Sequence, residues 1–297
     1  MNTELSYKAH KENWKNLILE KEERLYYKDK KDSIQYSVTT RPFNLLKPLL
    51  SKKKQWLTIG DYNGLEANFL IDNNQNVFAS DIDDTFLKEA QKNNLIKEYG
   101  IVNSEKIPFQ DDSFDYVLCK ESFHHFPRAY LSLYEMLRCS KEAVIIIEPI
   151  DILGTSPLFF LLKNTLDLIN PQLINKIWKN RFSFETVGNY VFKVAEREIE
   201  KLAMGVGLPA IAFKGVNLIL DLKTEKNILS QSPMNSKFMN KINRRFKIKN
   251  FLSKFHIIPY NHKIAILFKS IPDIETKANL IKLGYSFIDL PKNPYLS

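Results

Sequence analysis

The sequence predicts an α/β fold, a mostly parallel sheet flanked by helices, and three observations carry that reading. From Gln55 onward, short apolar runs alternate with helix-like stretches, the rhythm of parallel strands joined by crossover helices. Several runs are continuous in β-branched and aliphatic residues, as in Val144-Ile145-Ile146-Ile147, which suits strands covered on both faces. A chain of 297 residues with 44% hydrophobic and 26% charged content can bury one substantial core and lacks the composition of a disordered polypeptide.

The elements follow in order. Residues 1–52 begin helical and polar, break at the charged run Tyr26 to Asp32, and regain an apolar periodicity from Phe43 to Leu50, which predicts an N-terminal helical cap. Trp56 to Ile59 is the first strand; the turn Gly60-Asp61-Tyr62-Asn63-Gly64 and a helix from Leu65 to Ile71 follow it. Asn76 to Ser80 is the second strand and ends on Asp81, and a short third lies at Tyr99 to Val102. Phe114 to Cys119 and Ala143 to Ile147 are the fourth and fifth, separated by a helix from Tyr130 to Arg138, so that 53–150 forms one half of the domain. After Glu148-Pro149 the alternation breaks over 151–195, a stretch rich in Leu, Phe and Asn. Loops beyond ~12–15 residues are usually functional or disordered, and this one is too apolar for disorder, so it reads as a helical lid. The helix Glu196 to Gly205 restores the pattern and a second, basic insertion occupies 217–255. Lys263 to Lys269, a helix from Glu275 to Leu283, and Tyr285 to Leu290 complete the half at 196–297. Seven strands result, with helical insertions after the fifth.

Much of the net charge of +9 sits in 237–254, where Lys237, Lys241, Arg244, Arg245, Lys247, Lys249 and Lys254 are interleaved with Phe238, Ile242, Phe246, Phe251 and the adjoining Phe255. This reads as a solvated helix with an apolar face packed on the protein, with peripheral membrane or polyanion contact as the alternative. No signal peptide opens the chain and no window holds ~18 uninterrupted apolar residues, which points to a cytoplasmic protein without a transmembrane segment. Cys119 and Cys139 form no disulfide or metal pattern, and His10, His256 and His262 are too scattered to suggest a metal.

A strand ending in a glycine-bearing turn that opens a helix brings backbone N–H groups and a positive helix end close to a ligand. Asp81, at the end of the next strand, is placed to accept hydrogen bonds from both hydroxyls of a ribose. The pair reads as nucleoside recognition.

The stretch Asn103-Ser104-Glu105-Lys106-Ile107-Pro108-Phe109, running on to Ser113-Phe114-Asp115, resembles a characteristic segment of class I S-adenosylmethionine-dependent methyltransferases of the type 11 group. Glu121-Ser122-Phe123-His124-His125-Phe126, Glu135-Met136-Leu137-Arg138 and Ile147-Glu148-Pro149 are similar to the family's later segments, and the resemblance spans about Trp56 to Pro149. It implies a Rossmann-like sheet and S-adenosylmethionine as cofactor. It also implies that Gly60 and Gly64 line the methionine moiety, Asp81 holds the ribose, Ile82 packs on the adenine, and Asn103 and Ser104 meet the adenine edge. Lys120 or Glu121 would face the methionine end or the substrate. Tyr62 stands where the family pattern has a second glycine, so that either Asp61 compensates by binding the methionine ammonium or the pocket is altered.

A sulfonium already carries a reactive methyl group, so the protein chiefly has to align the reactants and exclude water. A hydroxyl acceptor gains further from proton removal, which makes His124 and His125 the candidate bases and Glu121 the reserve. The competing reading packs the histidines against the sheet end. Glu148 is read as fixing the following loop. The histidine pair, and the absence of an Asn/Asp-Pro-Pro-Tyr-like segment after the fourth strand, favour oxygen as the methylated atom. The acceptor is expected to be a small molecule or a glycan, because the Glu121 to Arg128 stretch is similar to bacterial methyltransferases of surface polysaccharide assembly. A non-catalytic cofactor-binding or scaffolding protein, and a nucleic-acid methyltransferase, are the alternatives.

Overall fold

The computed structural model describes residues 7–9, 12, 34–151, 157–177, 182–184, 189–218 and 237–295. At its centre lies one sheet of eight strands: β1 (Gln55–Ile59), β2 (Asn76–Asp81), β3 (Glu98–Ile101), β4 (Phe114–Lys120), β5 (Ser140–Pro149), β6 (Ala210–Val216), β7 (His262–Phe268) and β8 (Ser286–Asp289). The spatial order is β3-β2-β1-β4-β5-β7-β6-β8. β1 to β5 pair in parallel, whereas β7 runs antiparallel to both β5 and β6, and β8 antiparallel to β6. From β1 the chain winds outward through β2 to β3 and then returns to lay β4 on the other side of β1. That reversal opens a crevice above the C-terminal ends of β1 and β4.

The seven strands expected become eight. The additional strand is β6, Ala-Ile-Ala-Phe-Lys-Gly-Val, whose alanines, lysine and glycine give it little intrinsic preference for extended structure. Its state comes from its neighbours, since β7 and β8 hydrogen-bond it on both edges and bury its first four residues.

The described helices are α1 (Ile34–Thr40), α2 (Leu65–Asp72), α3 (Thr85–Lys92), α4 (Ala129–Cys139), α5 (Pro157–Ile169), α6 (Leu173–Ile177), α7 (Glu196–Gly205), α8 (Lys237–Lys254) and α9 (Ile274–Lys282). Because β5 is covered on both faces, its alternate side chains enter two separate cores. Ala143, Ile145 and Ile147 pack with β1 and α2 residues such as Trp56 and Leu70, whereas Val144 and Ile146 pack with Leu133 and Met136 of α4.

The N-terminal cap joins the first core. Arg41–Leu50 is a 3-10 helix rather than an α-helix; Pro48 inside it has no N–H to donate. It buries Phe43, Leu46 and Leu49 completely or nearly so, and the Phe43 ring lies 5.1 Å from that of Phe69 on α2. Tyr26, Tyr27 and His10 fall outside the described residues.

Both insertions leave the sheet at one end. Pro149, the last residue of β5, and Val216, the last of β6, are each in register with His262, the first residue of β7. α5 and α6 follow Pro149 in the chain, and α8 lies between Val216 and His262, where Asn217 reaches its residues Asn250 and Ser253. Among the described residues, no helix is long and apolar enough to cross a membrane.

Truncating a large buried aromatic costs roughly 3–5 kcal/mol. Phe43→Ala is therefore expected to lower unfolding free energy in urea by about that amount. A loss within ~0.5 kcal/mol, the scale of a surface substitution, would show that the cap does not contribute to the core.

Candidate functional site

The crevice is closed at its base by two turns that touch. Gly60, following β1, has φ +70°, and a Cβ placed on it would lie 2.4 Å from the Cβ of Ser122, which follows β4. Glycine is therefore required twice over, by backbone conformation and by contact. The Ser122 hydroxyl donates to the Gly60 carbonyl at 2.8 Å and locks the turns together. Gly64, with φ +73°, begins α2, and a Cβ there would press on Ala90 and Ile96 behind the turn.

A pocket at this point is lined by Gly60, Asp81, Ile82, Val102, Ser104 and Ser122, with Tyr7, His125 and Phe126 around it. It brings together most of the residues expected to hold a nucleoside. Asp81 is buried, and its carboxylate accepts only backbone N–H groups among the described residues, that of Asp83 at 3.3 Å among them. Burial is the main cause that pushes its pKa up to about 7. Ile82 and Val102 offer apolar surface. The Ser104 hydroxyl is shared with Ser132 at 2.9 Å, and the Asn103 side-chain oxygen accepts from the Glu105 N–H at 2.9 Å, so these two residues hold the shape of their turn.

Asp61 is placed differently from the expectation. Its carboxylate turns inward, accepting from the Thr58 hydroxyl at 2.9 Å and from the N–H groups of Glu66 and Ala67 at 3.1 and 2.8 Å. It thus satisfies the first turn of α2 from the buried side. Burial, followed by the charge of Glu66, raises its pKa well above the usual carboxylate value. Tyr62 stacks edge-on against Phe86 of α3, centroids 4.5 Å apart, which accommodates a bulky residue where the family pattern has glycine.

Lys120 and Glu121 belong to a second, charged cluster. The Lys120 ammonium is nearly buried between Glu121 at 2.7 Å and Glu66 at 3.6 Å. Burial opposes its charge, yet Glu66 and Glu121 outweigh it and raise its pKa. Glu121 also meets His262 Nε2 at 3.1 Å. Although burial favours the neutral acid, the His262 hydrogen bond and Lys120 hold the Glu121 carboxyl far below its ordinary range, which makes it a poor proton acceptor. Glu121 sits at φ +50°, a left-handed conformation that costs roughly 1–2 kcal/mol outside glycine. Its N–H bond to the Ile147 carbonyl at 2.9 Å helps to hold it there. His262 could not be found from sequence: 141 residues separate it from Glu121, and only the β5–β7 register brings it to the site.

The last component is Glu148, fully buried near the end of β5. One carboxylate oxygen accepts the N–H groups of Ser122 and Phe123, both at 2.9 Å; the other accepts His124 Nδ1–H at 2.6 Å. Glu148 does fix a loop, though it is the one after β4, and it also aims the His124 ring. The His125 ring packs against that of His124, centroids 4.0 Å apart, and lines the pocket that Asp81 and Ile82 also line. Among the described residues, no group of three or more His, Cys, Asp or Glu is arranged to hold a metal ion.

Residues 57–147 match the family model for a methyltransferase domain. A comparison with curated proteins gives no match. Solved structures of similar fold include a SAM dependent methyltransferase from Archaeoglobus fulgidus, with 15% identity, TM-score 0.50, and coverage of 79% of this chain and 94% of that one. The cyclase SpnF has 13% identity, TM-score 0.50, and coverage of 79% and 81%. A SAM-dependent methyltransferase from Methanosarcina mazei has 14% identity, TM-score 0.47, and coverage of 77% and 98%. The likeness to the first two is one of fold, and since one of them is a cyclase, the reaction has to be argued from the site.

The residues present fit S-adenosylmethionine. Asp81 is a buried acceptor served by backbone N–H groups, and the two hydroxyls of a ribose would complete its hydrogen bonding. Ile82, Val102 and Phe126 supply apolar walls suited to an adenine. Asp61 is already committed to Thr58 and α2, so the methionine end would depend on other groups near Gly60.

The diol donates to the ionised carboxylate, so binding lowers an Asp81 pKa that stands at about 7 in the free protein. Affinity is then complete above that pH and falls as pH drops through it. Calorimetry with S-adenosylhomocysteine should show this decline. Asp81→Asn should weaken binding by roughly 1.5–3 kcal/mol per charged hydrogen bond lost and flatten the pH profile. A flat profile in the native chain would remove Asp81 from the ribose.

Proposed function

We propose that this chain is a class I S-adenosylmethionine-dependent methyltransferase that methylates a hydroxyl oxygen of a small-molecule or glycan acceptor, with His124 as general base; the match of residues 57–147 to a methyltransferase domain supports the first part of that reading. The observation that carries the proposal is the 2.6 Å contact between His124 Nδ1 and the fully buried Glu148 carboxylate. A carboxylate can only accept, so Nδ1 keeps its proton and the neutral ring carries its lone pair on Nε2. The same carboxylate favours the imidazolium formed once Nε2 has taken a proton.

The bound cofactor supplies an electrophilic methyl group on a sulfonium. The chain's own residues bind and align. Asp81 would hold the nucleoside, and the Gly60–Ser122 contact keeps the ends of β1 and β4 together. His124 Nε2 accepts the proton of the acceptor hydroxyl as the oxygen gains its methyl group. His125, at the pocket wall, suits a contact with the nucleoside better than a second base. Glu121 is held ionised by His262 and Lys120, which favours binding or orienting the acceptor over proton abstraction. The glycan preference rests on the similarity of the Glu121 to Arg128 stretch to methyltransferases of surface polysaccharide assembly.

A radiolabelled-methyl screen over glycans, small molecules, lipids and RNA identifies the acceptor. With it in hand, His124→Ala should lower kcat by about 10²–10⁴, the usual range for a lost general base, and leave S-adenosylhomocysteine affinity unchanged. Glu148→Gln should lower kcat in the same direction. Full activity in His124→Ala would end the assignment.

A further inference from the structure

We propose that this chain docks peripherally on an anionic lipid surface through α8 and α5, one helix from each of the two insertions. α8 has seven Lys or Arg and no acidic residue. Its inner face is anchored. Ile242 and Phe246 are buried, the Arg41 guanidinium lies 4.3 Å over the Phe246 ring and donates to Asn243 at 2.8 Å, and Asn217 reaches Asn250 and Ser253. The opposite face is not the purely polar one of a solvated helix. Ile248, Phe251 and Phe255 are 52%, 59% and 59% exposed, and their i, i+3, i+7 spacing forms one outer ridge. The two phenylalanine rings lie 4.8 Å apart, and the exposed cations Arg244, Lys247 and Lys254 flank the ridge.

α5 adds a second apolar surface. None of its side chains is buried, and Leu158, Leu161, Leu168 and Ile169 are between 64% and 89% exposed. At 13 residues it is too short to span a bilayer, for which ~20 are needed. Contiguous exposed apolar surface of this kind marks a contact site. Its aliphatic character decides between polyanions. Aromatic residues among lysines can stack nucleobases, whereas leucines and isoleucines cannot, and an anionic bilayer receives both the apolar side chains and the cations. Pro149, Val216 and His262 stand in register at one end of the sheet, the end from which both insertions depart.

The inference is independent of methyl transfer and is tested without cofactor. The full chain is sedimented with phosphatidylcholine vesicles with and without phosphatidylglycerol, at low and high salt. It should bind the anionic vesicles at low salt, release as salt rises, and bind the neutral ones weakly. Removing basic residues in Arg244→Ala/Lys247→Ala should weaken binding about fivefold per residue. Phe251→Ser/Phe255→Ser and Leu161→Ser/Leu168→Ser should weaken it as well, with melting temperature and S-adenosylhomocysteine affinity unchanged because these side chains are exposed. Three results would overturn the proposal: no binding to anionic vesicles at low salt, equal binding to neutral vesicles, or a preference for single-stranded RNA that the Phe and Leu variants leave intact.

Discussion

The site depends on one buried carboxylate. Leaving Glu148 without partners in an apolar strand end would cost several kcal/mol, and three donors offset that cost: the N–H groups of Ser122 and Phe123 and the Nδ1–H of His124. Each of those donors lies in the segment after β4, so satisfying the charge on β5 fixes the path of the neighbouring strand's exit loop. The loop in turn carries Ser122, whose hydroxyl binds the Gly60 carbonyl and ties in the end of β1. Three strand ends are thereby held together by a few hydrogen bonds at the topological reversal of the sheet.

Around this anchor the charges divide by function. Asp81 is kept from full ionisation by burial, which leaves it responsive to ligand donors. Glu121 is held firmly ionised by Lys120 and His262, in a strained backbone conformation next to the crevice. Asp61 is absorbed into α2. Three carboxylates within one region thus behave differently because their partners differ, and a fourth, Glu148, orients the ring of His124.

Much of this was legible in the sequence because local rules govern it. β1, β2, β4 and β5 were read from apolar runs, and Gly60 and Asp81 from a strand-turn-helix pattern, all of which depend on neighbours within about twenty residues. What escaped depends on distance. β6 is a weak strand former enforced by β7 and β8. His262 reaches Glu121 only through the antiparallel return of β7. The inward turn of Asp61 reflects competition between a ligand and the unsatisfied N–H groups of α2, which spacing alone cannot decide. The outer ridge of α8 was hidden because apolar residues on both of its faces blur the helical pattern; the structure separates Ile242 and Phe246 inside from Phe251 and Phe255 outside.

The most direct test of the central arrangement is the tautomer of His124, read from the 15N shifts of histidine-labelled protein with His124→Gln for assignment. The buried Glu148 partner predicts that the neutral ring carries its proton on Nδ1 and presents an unprotonated Nε2, a preference that weakens in Glu148→Gln, whose amide can also donate. A neutral ring with its proton on Nε2 in the native chain would contradict the account, because the nitrogen assigned to take the acceptor's proton would already hold one.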